Sequence, residues 1–194
     1  MNDVIKHMKD YAEEYNIPII TDEGIDYIKK YIVKNKIKKI LEIGTAIGYS
    51  AIQMASVSDD ITISTIERDE KRYFEAIKNI KKANLDKRIN LIFKDALEVE
   101  LEDNFDLIFI DAAKAQNIKF FEKFTPLLND EGTVITDNMS FHGLVDKDEH
   151  EIESRNLRQL VRKVKNYKDY LENNEEFETK FLEIGDGLAV SEKK

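Results

Sequence analysis

Short isoleucine-rich runs recur along the chain, each divided from the next by a stretch of helical spacing, and this alternation narrows the possible folds more than any other feature. The runs fall at 39–43, 61–66, 89–93, 105–110 and 133–136, with helical stretches at 49–56, 69–83 and 117–128. Runs this apolar suit strands covered on both faces. Strands separated by crossover helices pair in parallel. An earlier helix, capped by Thr21 or Asp22 and carrying Ile25, Ile28, Ile32 and Val33 at helical spacing, should end near Asn35. The tail differs, because 178–184 and 187–191 are strand-like runs joined at Gly185-Asp186, as in a hairpin. One strand there must run antiparallel. The expectation is an α/β fold: a seven-stranded, mostly parallel sheet with an antiparallel C-terminal strand and helices on both faces.

Nothing divides the chain. Its 194 residues contain no low-complexity linker and only two prolines, Pro18 and Pro126, so one domain is expected over 1–194, a helical segment 1–37 leading into a core 38–194. Having no cysteine, it has no disulfide, thiolate zinc site, iron–sulfur cluster or cysteine nucleophile. His7, His142 and His150 are scattered and do not make a zinc site. Thirty Lys+Arg against 39 Asp+Glu leave a net charge of −9, which repels nucleic acid and anionic membrane at long range. Only a local basic face could overturn that. No apolar run approaches the roughly 20 residues that cross a bilayer, and 1–39 lacks a signal-peptide pattern. A cytoplasmic protein without a membrane partner is expected.

In such a sheet a ligand sits at the carboxyl ends of the strands, where strand order reverses. After the first strand come Gly44-Thr45-Ala46-Ile47-Gly48-Tyr49-Ser50, where small residues let backbone approach a ligand and the next helix offers unpaired N–H groups. A dinucleotide fingerprint would need glycine where Tyr49 stands, which argues against a pyrophosphate. An ordinary strand-to-helix turn is the alternative. The second strand ends at Glu67, placed to accept hydrogen bonds from both hydroxyls of a ribose, and turn and acid together favour an adenosine-containing ligand. Asp95, after the third strand, can face an adenine amino group.

The fourth strand runs into Asp111-Ala112-Ala113-Lys114 and the fifth ends in Thr136-Asp137-Asn138. Asp111, Asp137 and Asn138 make an all-oxygen set that suits magnesium better than zinc, the alternative being that the aspartates merely cap the helices or turns after them. Lys114, read as one helical turn beyond Asp111 and on the same side, is a candidate general base, since an ammonium beside a divalent cation is destabilised.

Through LEIGTAIGYS, the strand-end Glu67, FIDAAK and TDN, the sequence resembles the cation-dependent class I O-methyltransferases that use S-adenosylmethionine, the group containing catechol and caffeoyl-coenzyme A methyltransferases. The resemblance runs from about Thr21 to Ser191 and implies a Rossmann-like class I methyltransferase fold. It implies that Gly44 lies beneath the methionine portion of the donor, Ser50 holds its carboxylate and Glu67 its ribose, with Asp95 and Ala96 near the adenine. It also implies a metal on Asp111, Asp137 and Asn138, Lys114 as base, and a homodimer. Within the group, the short form, the ending FLEIGDGLAVS and the segment Arg155-Asn156-Leu157-Arg158 are similar to bacterial tRNA 5-hydroxyuridine methyltransferases, which make 5-methoxyuridine at the wobble position. Catechol enzymes place bulky aromatics between the metal aspartate and the lysine; here Ala112 and Ala113 stand there, which argues against a tight catechol pocket.

From Glu153 to Glu172, Leu157, Leu160, Val161, Val164 and Leu171 share a helical face while Arg155, Arg158, Arg162, Lys163, Lys165 and Lys168 fill the remainder. Arg155 and Arg158 are the candidates for gripping RNA phosphate, and the stretch 141–154 before them is the candidate gate over the site. The leading expectation is therefore a tRNA wobble-uridine methyltransferase; the alternatives are a small-molecule catechol or caffeoyl-CoA type enzyme and a non-catalytic nucleotide-binding protein.

Overall fold

Seven strands form one sheet in the order β3-β2-β1-β4-β5-β7-β6 in the computed structural model, which describes residues 1–140, 143, 145 and 154–194. In chain order the elements are α1 (Asn2–Glu14), α2 (Asp22–Asn35), β1 (Lys39–Ile43), α3 (Tyr49–Ala55), β2 (Thr62–Glu67), α4 (Glu70–Lys82) and β3 (Ile89–Phe93). They continue with β4 (Phe105–Ile110), α5 (Asn117–Phe124), β5 (Leu128–Thr136), α6 (Arg155–Glu172), β6 (Phe177–Leu182) and β7 (Leu188–Lys193). β1 pairs in parallel with β2 and β4, β2 with β3, and β4 with β5, whereas β7 is antiparallel to both β5 and β6. One strand alone thus opposes the rest, as the Gly185-Asp186 turn predicts. Among the described residues no helix is long and apolar enough to cross a membrane.

Alternation along the central strands sends Ile40, Leu107 and Phe109 to one face and Leu41, Ile43, Ile108 and Ile110 to the other, all buried. The first face packs against α1 to α4, the second against α5 and α6. Burying one such side chain stabilises the fold by about 1.5–3 kcal/mol, so both faces of the sheet are covered by a core of their own. Helix starts are fixed locally: Thr21 Oγ1 accepts from Gly24 N at 3.2 Å and Asp69 Oδ1 from Arg72 N at 2.9 Å.

Two boundaries differ from the sequence reading. The helix expected over 117–128 stops at Phe124 and tightens into a 3-10 turn at Thr125–Leu127. Pro126 has no N–H to give the carbonyl four residues back, so the α-helical ladder ends there. β5 starts at Leu128 rather than 133; its first half exposes Asn129, Asp130 and Glu131, so the apolar pattern of a covered strand begins only later in the sequence.

The chain leaves β1 toward β2 and β3, then returns past β1 to lay down β4, so strand order reverses between β1 and β4. There the two turns press together: a Cβ built on Gly44 would fall 2.1 Å from the Asp111 carbonyl oxygen, and Asp111 N donates to Ile43 O at 2.9 Å. In-register pairing of Ile43 with Ile66 and Ile110, and of Ile110 with Thr136, sets Gly44, Glu67, Asp111 and Asp137 along one edge of the sheet.

Candidate active site

A cavity of about 560 Å³ opens over that edge. Gly44, Glu67, Asp95 and Ala96 line one half, Asp111, Lys114, Asp137 and Asn138 the other.

In the first half, Glu67 is 7% exposed and held by backbone: its Oε1 accepts from Arg68 N and Asp69 N, each at 2.8 Å, and its Oε2 from Ala46 N at 2.8 Å. A carboxylate has about four acceptor sites, so Glu67 retains room for one ligand hydroxyl on Oε2 without displacing an amide. Asp95 Oδ1 caps the turn Ala96–Glu98 by accepting from Leu97 N, and Oδ2 accepts from Arg68 Nη1, both at 2.9 Å. These bonds, the backbone one first, hold its carboxyl below the usual range.

The second half concentrates negative charge. Asp137 is 6% exposed and Asp111 half-buried. Desolvation raises both carboxyls, and Asp111's charge raises Asp137 further, while Lys114 opposes the rise in both. Asn138 sits in the left-handed region (φ 68°), which asparagine tolerates, with its N donating to Asp137 Oδ1 at 2.7 Å and its Nδ2 to Asp111 Oδ1 at 3.2 Å. Two adjacent carboxylates short of water, one held by the backbone and the other by the side chain of Asn138, match the hard oxygen donors of a divalent cation. Among the described residues no three His, Cys, Asp or Glu side chains form a metal cage, so such an ion would rest on Asp111, Asp137 and the Asn138 amide oxygen, keeping positions open for water or substrate.

Three expectations need correction or relocation. Ser50 is not on the cavity wall: it is buried, and its Oγ lies 2.5 Å from Glu42 Oε1, to which it donates. Lys114 does reach the cavity, but not by helical spacing; Ala113 is extended and a 3-10 turn Lys114–Gln116 carries the side chain in. Arg155 and Arg158 stand in the first turn of α6, a helix that packs against the 114–116 turn, and neither lines the cavity. The candidate gate at 141–154, His142 with it, falls outside the described residues except for Gly143, Val145 and Ser154.

The sequence reading missed Pro18 and Ile19, which close the cavity from the segment before α2, and Asp186, which lines it from the β6–β7 turn. Asp186 carried a signal, a lone acid between Gly185 and Gly187 at a predicted hairpin tip; Pro18 and Ile19 carried none, being apolar residues ahead of a helix cap.

The sequence profile of the family described as O-methyltransferase matches residues 4–194. The chain belongs to the O-methyltransferase family. A solved Staphylococcus aureus structure, provisionally named a caffeoyl-CoA O-methyltransferase, is 46% identical and superposes with a TM-score of 0.93 over 98% of this chain and 92% of that one. A Bacillus cereus O-methyltransferase solved in complex with SAH is 25% identical, with a TM-score of 0.84 over 99% of this methyltransferase and 91% of its own chain. A Populus kitakamiensis caffeoyl-CoA O-methyltransferase is 25% identical across 94% of this chain and 80% of its own. The Rossmann-like sheet is thus that of a class I S-adenosylmethionine-dependent O-methyltransferase.

Proposed function

We propose that this methyltransferase moves a methyl group from S-adenosylmethionine to an acceptor hydroxyl with the help of a divalent cation, and that the acceptor is the wobble 5-hydroxyuridine of tRNA. The observation that carries the reaction is the contact of the turns after β1 and β4, where Gly44 lies against Asp111 and joins the part of the cavity lined by Glu67 and Asp95 to a pair of carboxylates.

The donor supplies an electrophilic sulfonium methyl, and a cation held by Asp111, Asp137 and Asn138 would supply positive charge that favours the ionised acceptor hydroxyl. The chain does the rest. Glu67 accepts from a ribose hydroxyl and Asp95 from the adenine amino group, with Ala96 beside the ring. Gly44, without a side chain, lets the methionine portion lie against backbone. Lys114 takes the acceptor proton at Nζ. The oxygen then attacks the methyl carbon in line, so the protein's main contribution is to hold those two atoms in near-attack geometry.

Two features favour a macromolecular acceptor. Ala112 and Ala113 leave the wall beside Asp111 low, and α6, which carries Arg155 and Arg158 in its first turn, packs against the turn that bears Lys114. The relatives named for caffeoyl-CoA favour a second reading, a small phenolic acceptor. Nucleoside mass spectrometry of tRNA from a deletion strain separates them. Missing 5-methoxyuridine with accumulated 5-hydroxyuridine supports the tRNA reading; normal 5-methoxyuridine, with caffeoyl-CoA turned over in vitro, supports the second. Turnover that survives exhaustive chelation removes the cation from either.

A further inference from the structure

Across the sheet, the cavity residues form an ordered row: Asp95 after β3, Glu67 at β2, Gly44 after β1, Asp111 after β4, then Asp137 and Asn138 after β5. The next strand in the row is β7, and the turn that leads into it carries Asp186 to the same cavity. On the reading above, the donor occupies the row from Asp95 to Gly44 and the reacting hydroxyl lies over Asp111 and Asp137. Asp186 then stands one strand beyond the reacting atoms, on the side away from the donor, where the body of the acceptor must lie.

The turn that presents it is built to one shape. Gly185 and Gly187 both have positive φ, 56° and 85°. A Cβ on Gly185 would fall 2.1 Å from Thr21 Oγ1, and one on Gly187 would fall 2.3 Å from Ser140 Oγ and 2.6 Å from Ser140 N. The tip is therefore wedged between the cap of α2 and the segment after Asn138. Backbone bonds fix it there: Ser140 N donates to Asp186 O at 2.8 Å, Met139 N to Gly187 O at 2.9 Å and Gly187 N to Ile184 O at 3.0 Å. Its carboxylate is close enough that its charge raises both Asp111 and Asp137.

We propose that Asp186 selects the acceptor: its carboxylate takes a hydrogen bond from an N–H or ammonium group carried beyond the reacting hydroxyl, and it disfavours acceptors with an anionic group there. This rests on the reaction proposed above. The N3–H of a 5-hydroxyuracil ring is such a donor, and the carboxylate of a dihydroxybenzoate is the opposite case. A hydrogen bond to a charged group, or its replacement by like-charge repulsion, changes discrimination by on the order of tenfold or more.

The test compares methylation by the magnesium-loaded enzyme of two matched pairs: an anticodon stem-loop with 5-hydroxyuridine against its N3-methyl form, and 3,4-dihydroxybenzylamine against 3,4-dihydroxybenzoate. Wild-type kcat/KM should favour the first member of a pair by about tenfold or more, and Asp186→Ala, which removes both charge and acceptor, should bring the ratio close to one. Binding of S-adenosylhomocysteine should be unchanged, which certifies the fold. Asp186→Glu, which keeps the charge, should retain the preference. A preference that persists in Asp186→Ala, or one absent from the wild type, overturns the assignment of Asp186 alone. Methylation of neither pair overturns the proposed reaction, and this inference with it. Should Asp186→Ala lose donor binding, Asp186→Leu, which fills the space without charge or acceptor, takes its place in the same comparison.

Discussion

Ser50 donates its hydroxyl proton to Glu42 at 2.5 Å, inside a junction of β1, α3 and β2 that solvent does not reach. Thr65 Oγ1 donates to the other carboxyl oxygen and shares a 2.6 Å hydrogen bond with Thr45 Oγ1. One buried acid thereby ties the glycine turn to the two elements beside it.

Burial pushes the Glu42 carboxyl up from 4.5 to about 8, against the opposing pull of Ser50 and Thr65. The folded protein then binds a proton that the unfolded chain releases between those values. Stability from this group is complete below about pH 4.5 and is lost as pH rises through about 8, at up to about 1.4 kcal/mol per pH unit. Urea unfolding across that window should show wild-type stability falling with pH more steeply than that of Glu42→Gln, whose amide does not titrate. Parallel pH dependences in the two proteins would rule out Glu42 as the source.

Gly44 and Gly48 both have positive φ, 101° and 86°, but they differ in surroundings. A Cβ on Gly48 would meet nothing closer than 3.6 Å, whereas one on Gly44 would collide with the Asp111 backbone. Gly48→Ala should therefore cost only the left-handed backbone penalty of about 1–2 kcal/mol. Gly44→Ala adds overpacking and should lose on the order of 3 kcal/mol or more, with weaker S-adenosylhomocysteine binding. Chemical denaturation of both variants checks this; equal losses would mean that the β1 and β4 turns are not in enforced contact.

The strand ends were legible because parallel, doubly covered strands are written in short uncharged runs rich in isoleucine, valine and threonine, which stop abruptly at Glu67, Asp111 and Asp137. Glu42 was not legible as a buried acid, since its partner Thr65 lies 23 residues away and only the β1–β2 register brings the two together. The Ser50 contact with Glu42 was hidden for the same reason: its spacing from Gly44 suits a ligand, and nothing local reveals a buried acid beside it. Lys114 shows the converse, a residue correctly expected at the cavity through a wrong local conformation, because Asp111 to Lys114 reads as a helical turn while Ala113 is extended. Asp186 was visible as a hairpin tip, yet its approach to the carboxylate pair depends on β7 inserting between β5 and β6, which sequence order does not announce.

Arg155 and Arg158 begin α6 with positive charge and no acid in its first turn, an arrangement that the helix dipole disfavours by about 0.3–1 kcal/mol per charge. The helix that carries them packs against the turn that bears Lys114. On the tRNA reading they hold phosphates flanking the wobble base. Changing both to glutamate should lower tRNA methylation by well over tenfold while S-adenosylhomocysteine affinity stays at the wild-type value. Removing two phosphate contacts should also flatten the slope of log affinity against log salt by about 1.4 for a single-stranded loop. Filter binding of an anticodon stem-loop across a salt series measures that slope. An unaltered slope with intact methylation would detach α6 from RNA and move the acceptor to a small phenol, whereas a fall in activity with an unaltered slope would mean that the arginines act on the turn at Lys114 instead of on phosphate.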